Sequence, residues 1–393
     1  MKKVDPFNLM GPIYSSGPLS RLELARQARV APSHVSIVVR EMIDKGLVIE
    51  SGFVPSTGGR RSGLIHVNPD AAQLLGIDVG RTNTSILVAD LAGKVLAREW
   101  FPTRPSQGRE SLLGVLHAEV QARLARFPRI AAIGLAHSGV VDPNAGKVLF
   151  WPMVEGWKDT PLRAVFEDAY GLEVSVEDRV RAMVLAERRS GNLAGLHNFI
   201  LVYVGTGIMS AIFVDGHLYG GRNGLAGELG HTTVVEDGEP CSCGNRGCLE
   251  RLSSAAAIVG RVRAELASGS FSLLVPEGNG SLENISIEEI VAAAQAHDRL
   301  AERVVAEAAQ HLGIALASVV NLLNPESVIL TGKVPQCAGD LLLGPLLYHL
   351  RQRAFPKAVE GLSVSVSKLG EEAAALGIAL KAGEQVVKTL CRG

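Results

Sequence analysis

Apolar residues recur at helical spacing twice near the start of the chain. In SRLELARQA, positions Leu22, Leu24, Ala25 and Ala28 predict a short amphipathic helix, with Ser20 as its N-cap and Glu23 completing a capping box. After a turn at 29–31 a second helix opens on Pro32, buries Val35, Val38, Val39, Met42 and Ile43, and stops at Gly46. Its other face carries Ser33, His34, Ser36, Ile37 and Arg40. The pattern then changes to strand-like runs in LVIESGF and SGLIHVN, around a Gly/Ser/Thr loop tipped by Arg60 and Arg61. Two helices, a tight turn and a basic strand pair are the parts of a winged helix-turn-helix. Short hydroxyls, one apolar group and an arginine on the second helix suit base edges and phosphates in a major groove. A helical hairpin that merely docks on the rest of the chain has the same apolar pattern.

Beyond Asn68-Pro69 the pattern alternates between strands and helices. LLGIDVGRTNTSILVADLAGKVLA predicts strand, glycine turn, strand, turn, strand, and FILVYVGTGIMSAIFVDGHLYGG repeats it. Val79-Gly80 matches Val204-Gly205, and Asp90 with Gly93 matches Asp215 with Gly216, so the body reads as two lobes of one design. Segments such as IAAIGLAHSGVVD and LRAVFEDAYGLEVSVEDRVRAMVLAE predict mixed α/β sheets with helices on both faces. The expected boundaries are 1–70 for the winged module, 71–190 for a first lobe completed by 374–393, and 191–373 for a second lobe. The glycine turns at Asp78–Thr82 and at Gly205-Thr206-Gly207 fit either tight hairpins or amides that approach a phosphate.

Composition alters this picture in three places. The chain has 393 residues and a net charge of -1, yet residues 1–69 carry nine Lys/Arg against five Asp/Glu, a basic module before a near-neutral body. No apolar run reaches membrane-spanning length and no signal peptide opens the chain, so it reads as a cytoplasmic protein without a membrane partner. Three of five cysteines, Cys241, Cys243 and Cys248, fall in CSCGNRGCLE shortly after His231. Three thiolates and an imidazole suit a closed, tetrahedral, structural Zn²⁺ site.

With these residues in hand, the chain resembles the ROK family of repressors and sugar kinases, and within it the transcriptional-regulator branch. The resemblance rests on the winged module with SRLELARQARVAPSHVS and GGRR, and on GIDVGRTNTSILVADLAGKV, GVVDPNAGKV, GWKDTPL, LAGELGH and CSCGNRGCLE. It implies a winged helix-turn-helix followed by a two-lobed, actin-like α/β body of the sugar kinase type. It also implies a structural zinc, homodimers or homotetramers, and a double-stranded DNA operator. By the same resemblance Glu228, His231 and Glu250 would hold the hydroxyls of a sugar effector.

Four stretches depart from the kinase members of that family. Where kinases read END, this chain reads Glu177-Asp178-Arg179, and ungapped matching from Leu185-Ala186-Glu187 puts Arg179 at the catalytic aspartate. Arginine cannot act as a general base at neutral pH. A one-residue slip would restore Asp178 as the base, at the cost of a gap inside a helix. Met153 replaces an asparagine of the sugar loop, Met209 replaces a glycine of the second phosphate turn, and Lys333 follows Gly332 where a glycine is usual. In the DNA module, Ala31 replaces a serine cap before Pro32.

The sequence therefore reads as a transcriptional regulator, a repressor of carbohydrate-related genes, with a non-catalytic body that binds an effector. Its effector residues are expected at Glu228, His231, Glu250, Arg179 and Asp178. Arg179 either meets an anionic ligand such as a sugar phosphate or pairs internally with Glu177, Asp178 or Glu228. Two rival readings stand beside this one: an ATP-dependent sugar kinase with a DNA-binding extension, and a regulator controlled by a protein partner.

Overall fold

The structure, a computed structural model, describes residues 5–53, 63–189, 193, 195–222, 224–274 and 282–392. It divides into two compact units, 1–194 with 372–393, and 195–371.

Each unit is built on a five-stranded sheet, and the two sheets share one topology. In the first unit, strands Gln73–Val79, Asn83–Asp90 and Val95–Pro102 form an antiparallel meander, and Ile130–His137 and Glu173–Asp178 add to its other edge in parallel. In the second, Phe199–Val204, Ile208–Val214 and His217–Tyr219 form the meander, and Ser327–Thr331 and Ser363–Val366 extend it in parallel. Numbered within each five-stranded sheet, both run 3-2-1-4-5, and the meander in each is the one that the repeated strand–turn–strand pattern predicts. Central strands such as Gln73–Val79 are buried at every position, because helices cover both faces.

The covering helices differ in origin. In the first unit, Ala373–Arg392 returns to pack on the sheet beside Arg179–Arg189. A Cβ at Gly377 would stand 1.8 Å from the carbonyl oxygen of Ala182, so the two helix backbones touch and only glycine fits there. In the second unit, the 25-residue helix Arg299–Leu323 packs along Asp340–Arg353. It is long and apolar enough to cross a membrane, yet its apolar side chains form the core of this unit.

The N-terminal module lies in the first unit. Helices Arg21–Ala28 and Pro32–Asp44 are followed by the antiparallel strands Val48–Phe53 and Gly63–Val67. Ser20 and Glu23 form the predicted capping box, and Arg29 ends the first helix in a left-handed conformation, φ 53°. One helix, Phe7–Ser16, was not expected from the sequence. It buries Leu9, Met10, Ile13 and Tyr14 in a core shared with Leu24, Val35 and Val39 of the module and with Ala379, Leu380 and Val387 of the C-terminal helix.

Candidate functional site

The parallel strands of the first sheet bring Val79, His137 and Asp178 side by side at their carboxyl ends, the edge at which open α/β sheets bind ligands. The charges there pair within the unit. Glu177, 1% exposed, accepts from Lys381 Nζ at 2.6 Å, Arg181 Nε at 2.9 Å and the N–H of Asp178 at 3.0 Å. Asp178 is also buried, and its Oδ1 accepts the N–H groups of Val180 at 2.8 Å and Arg181 at 3.0 Å, the geometry of a helix N-cap. Arg179 donates through Nε to Asp78 Oδ2 at 2.9 Å. Of the internal partners expected from the sequence, Glu177 pairs with other cations, and Asp78 of the first glycine turn was not foreseen.

His137 is a second residue that sequence reasoning passed over, although it closes the strand in GLAHSG. Its Nδ1 accepts the N–H of Gly139 at 2.8 Å, which leaves the ring proton on Nε2. The ring lies edge-on to Trp151 at 4.5 Å and stacks on Trp157 at 5.2 Å. Burial pulls its pKa down to about 3, so the imidazole is neutral. This aromatic box anchors the 151–157 loop, whose Met153 is exposed and receives Arg81 Nε on its sulfur at 2.9 Å.

In the second unit, Glu228 precedes the short helix Leu229–His231 and Glu250 opens the helix Glu250–Ser253. Glu250 Oε2 accepts the N–H of Ile208 at 2.9 Å, so a carboxylate of the chain already occupies an amide beside the second glycine turn. Burial raises the pKa of Glu228, His231 opposes that shift and Glu250 adds to it. Among the described residues no group hydrogen-bonds the Glu228 carboxyl. Tyr203 adds bulk where parallel strands 199–204 and 327–331 end. A Cβ on Gly205 would stand 2.2 Å from its hydroxyl oxygen, and one on Gly332 would stand 3.0 Å from its ring. Lys333 is paired with Glu288. The sequence singled out Met209 and Lys333 near these turns but not Tyr203, which pairs across the strands with Met209.

His231, Cys241, Cys243 and Cys248 converge, with ligand atoms all within 4.8 Å of one another. Cys241 Sγ lies 3.6 Å from His231 Nδ1, and Cys243 Sγ lies 3.7 Å from Cys248 Sγ. Ligands at 2.0–2.3 Å from a tetrahedral ion stand about 3.5–3.8 Å apart, so the donor set fits a metal.

The helix Pro32–Asp44 presents Ser33, Ser36, Ile37 and Arg40 to solvent, with Ile37 57% exposed, and His34 half-buried. Val35, Val38, Val39 and Met42 face the core, and Ala31 at the N-cap makes no side-chain bond. Arg60 and Arg61 lie outside the described residues.

A duplicated α/β body with a winged module at its N-terminus defines a class that joins a sugar-kinase fold to a DNA-reading element. The ROK family model matches residues 74–384, and the chain belongs to that family. It is 33% identical to the DNA-binding transcriptional dual regulator NagC of Escherichia coli over 93% of this chain and 88% of that one. Among solved structures it is similar to a ROK family transcriptional regulator described as a homologue of the E. coli MLC protein. The TM-score is 0.83, with 28% identity over 100% of this chain and 99% of that one. A ROK glucokinase from Streptomyces griseus, solved with glucose and AMPPNP, covers 79% of this chain and is itself covered to 99%, at TM-score 0.68 and 30% identity.

Proposed function

We propose that the chain is a DNA-binding repressor of carbohydrate-related genes, cytoplasmic and homo-oligomeric, whose body binds an effector without phosphorylating it. The observation that carries this reading is the Arg179–Asp78 pair. Arginine at the place of the kinase base cannot take a proton from a sugar hydroxyl, and the pair ties up the acid of the first glycine turn. The internal Glu250–Ile208 bond and the Tyr203 ring support the same conclusion in the second unit.

The effector class these side chains favour is a neutral sugar. The Glu228 and Glu250 carboxyls offer acceptors to adjacent hydroxyls, a metal-bound His231 keeps a ring N–H to donate to a sugar oxygen, and two acids repel a phosphate. A Zn²⁺ held by His231, Cys241, Cys243 and Cys248 would fix the loop that carries Glu250 and orient the imidazole. Ser33, His34, Ser36, Ile37 and Arg40, with Arg60 and Arg61 of the wing, would read the operator.

In vitro selection of duplexes on the full chain, followed by calorimetry with sugars and their phosphates, tests the reading. A palindromic duplex and heat with an unphosphorylated sugar are expected. With MgATP and a hexose panel no sugar phosphate should form. Turnover abolished by Asp178→Asn would replace this reading with the kinase one.

A further inference from the structure

The helix Arg179–Arg189 has its two ends in two different settings. At its first residue, Arg179 holds Asp78, and the Arg179 side chain is 20% exposed. At its last, Arg189 donates through Nη1 to the carbonyl of Tyr14 and through Nη2 to that of Ala92 at 3.1 Å, while its guanidinium lies over the Tyr14 ring. Tyr14 belongs to the helix Phe7–Ser16, which shares its core with the two helices of the winged module. Its hydroxyl donates to the carbonyl of Leu380 at 2.8 Å, and Gly383 leaves room for it, since a Cβ there would stand 2.0 Å from that oxygen.

We infer that Arg189 and Tyr14 are positioning residues, and that the helix Arg179–Arg189 carries the state of the Asp78–Arg179 pair to the winged module. Eleven residues span about 16 Å as a helix. Its Ala182 carbonyl rests against the backbone at Gly377, which bars the helix from moving toward the C-terminal helix. Lys381, from the same C-terminal helix that receives Tyr14, also grips Glu177 just ahead of Asp178. A shift of Arg179 is therefore delivered at Arg189, which among the described residues holds the helix 7–16 at Tyr14 and the turn at Ala92. Small shifts of packed helices of about 1–2 Å are a known means of switching. The regulatory meaning of this coupling rests on the proposed function; the mechanical coupling does not.

Hydrogen exchange on the full chain, without DNA or sugar, tests it. Arg179→Ala should speed exchange of the amides in 7–16 about tenfold, with those of 255–267 in the second unit unchanged. Arg189→Ala should speed 7–16 as well, and the double variant should exchange no faster than Arg189→Ala alone. Arg179→Gln serves if the alanine variant does not fold. Changes confined to the surroundings of residues 78 and 178–184, or additive effects in the double variant, would overturn the inference. Because neither DNA nor sugar is present, failure of the repressor reading leaves this result intact, and the reverse holds.

Discussion

The two units share a topology, but the acids at the strand ends of the first and Glu228 of the second meet opposite surroundings. At the strand ends of the first, Asp78, Glu177 and Asp178 are all buried, and each is matched by a guanidinium, an ammonium or helix amides. In the second, Glu228 is half-buried with no hydrogen-bonding partner among the described residues, and burial and Glu250 raise its pKa. A carboxylate satisfied by its own chain stabilises the fold and offers a ligand little. A carboxyl held partly desolvated without a partner suits the recognition role proposed for Glu228.

The strongest way to break this contrast is to disturb the loop that carries Glu250. If the proposed zinc is bound, removing it with a chelator, or Cys248→Ser, should unfold the 231–250 loop and destabilise the second unit. A structural zinc site of this kind contributes on the order of 10 kcal/mol of apparent binding energy. Calorimetry should show the transition of the second unit falling while that of the first stays put. Equal loss from both units would refute the division of roles.

Glu177→Ala comes next. It leaves Arg181 and Lys381 without their shared carboxylate, and breaking a buried ion pair costs about 3–5 kcal/mol. Urea unfolding should register that loss, whereas Glu228→Gln should stay within about 0.5 kcal/mol of wild type. Comparable losses would mean that Glu228 is structural too.

Acid sharpens the comparison further. His137 is buried and neutral with its pKa at about 3, while an unfolded histidine protonates near 6.5. The unfolded state therefore binds the extra proton, and this contribution to stability is complete above pH 6.5 and shrinks as pH falls toward 3. The expected slope is about 1.4 kcal/mol per pH unit below 6.5. Melting curves of His137→Phe between pH 4.5 and 7.5 should be flatter than wild type, and an identical slope would show that His137 is not the source. The smallest effect is a gain: Ala31→Ser supplies the missing cap on the helix Pro32–Asp44 and should add about 1 kcal/mol, visible as a higher Tm.

Much of this was legible in the sequence because it is local. The Ser20–Glu23 capping box, the alternation that builds both meanders and the Cys-X-Cys spacing depend on neighbours a few residues apart. What escaped depends on distance along the chain. Arg179 and Asp78 are 101 residues apart, so no pattern pairs them. The helix Phe7–Ser16 contains Gly11 and Pro12, which weaken any helical signal, and its burial is explained by a helix at the far end of the chain. Tyr203 looked like an ordinary strand residue, and only the positions of Gly205 and Gly332 on either side of it give its ring a role.

The bond from Tyr14 to Leu380 joins residues 366 positions apart. During synthesis the winged module leaves the ribosome long before the helix it packs against. Its core, which includes Ala379, Leu380 and Val387, cannot close until nearly the whole body has been made. A chain that stops short of Ala379 therefore lacks part of the core against which the winged module packs.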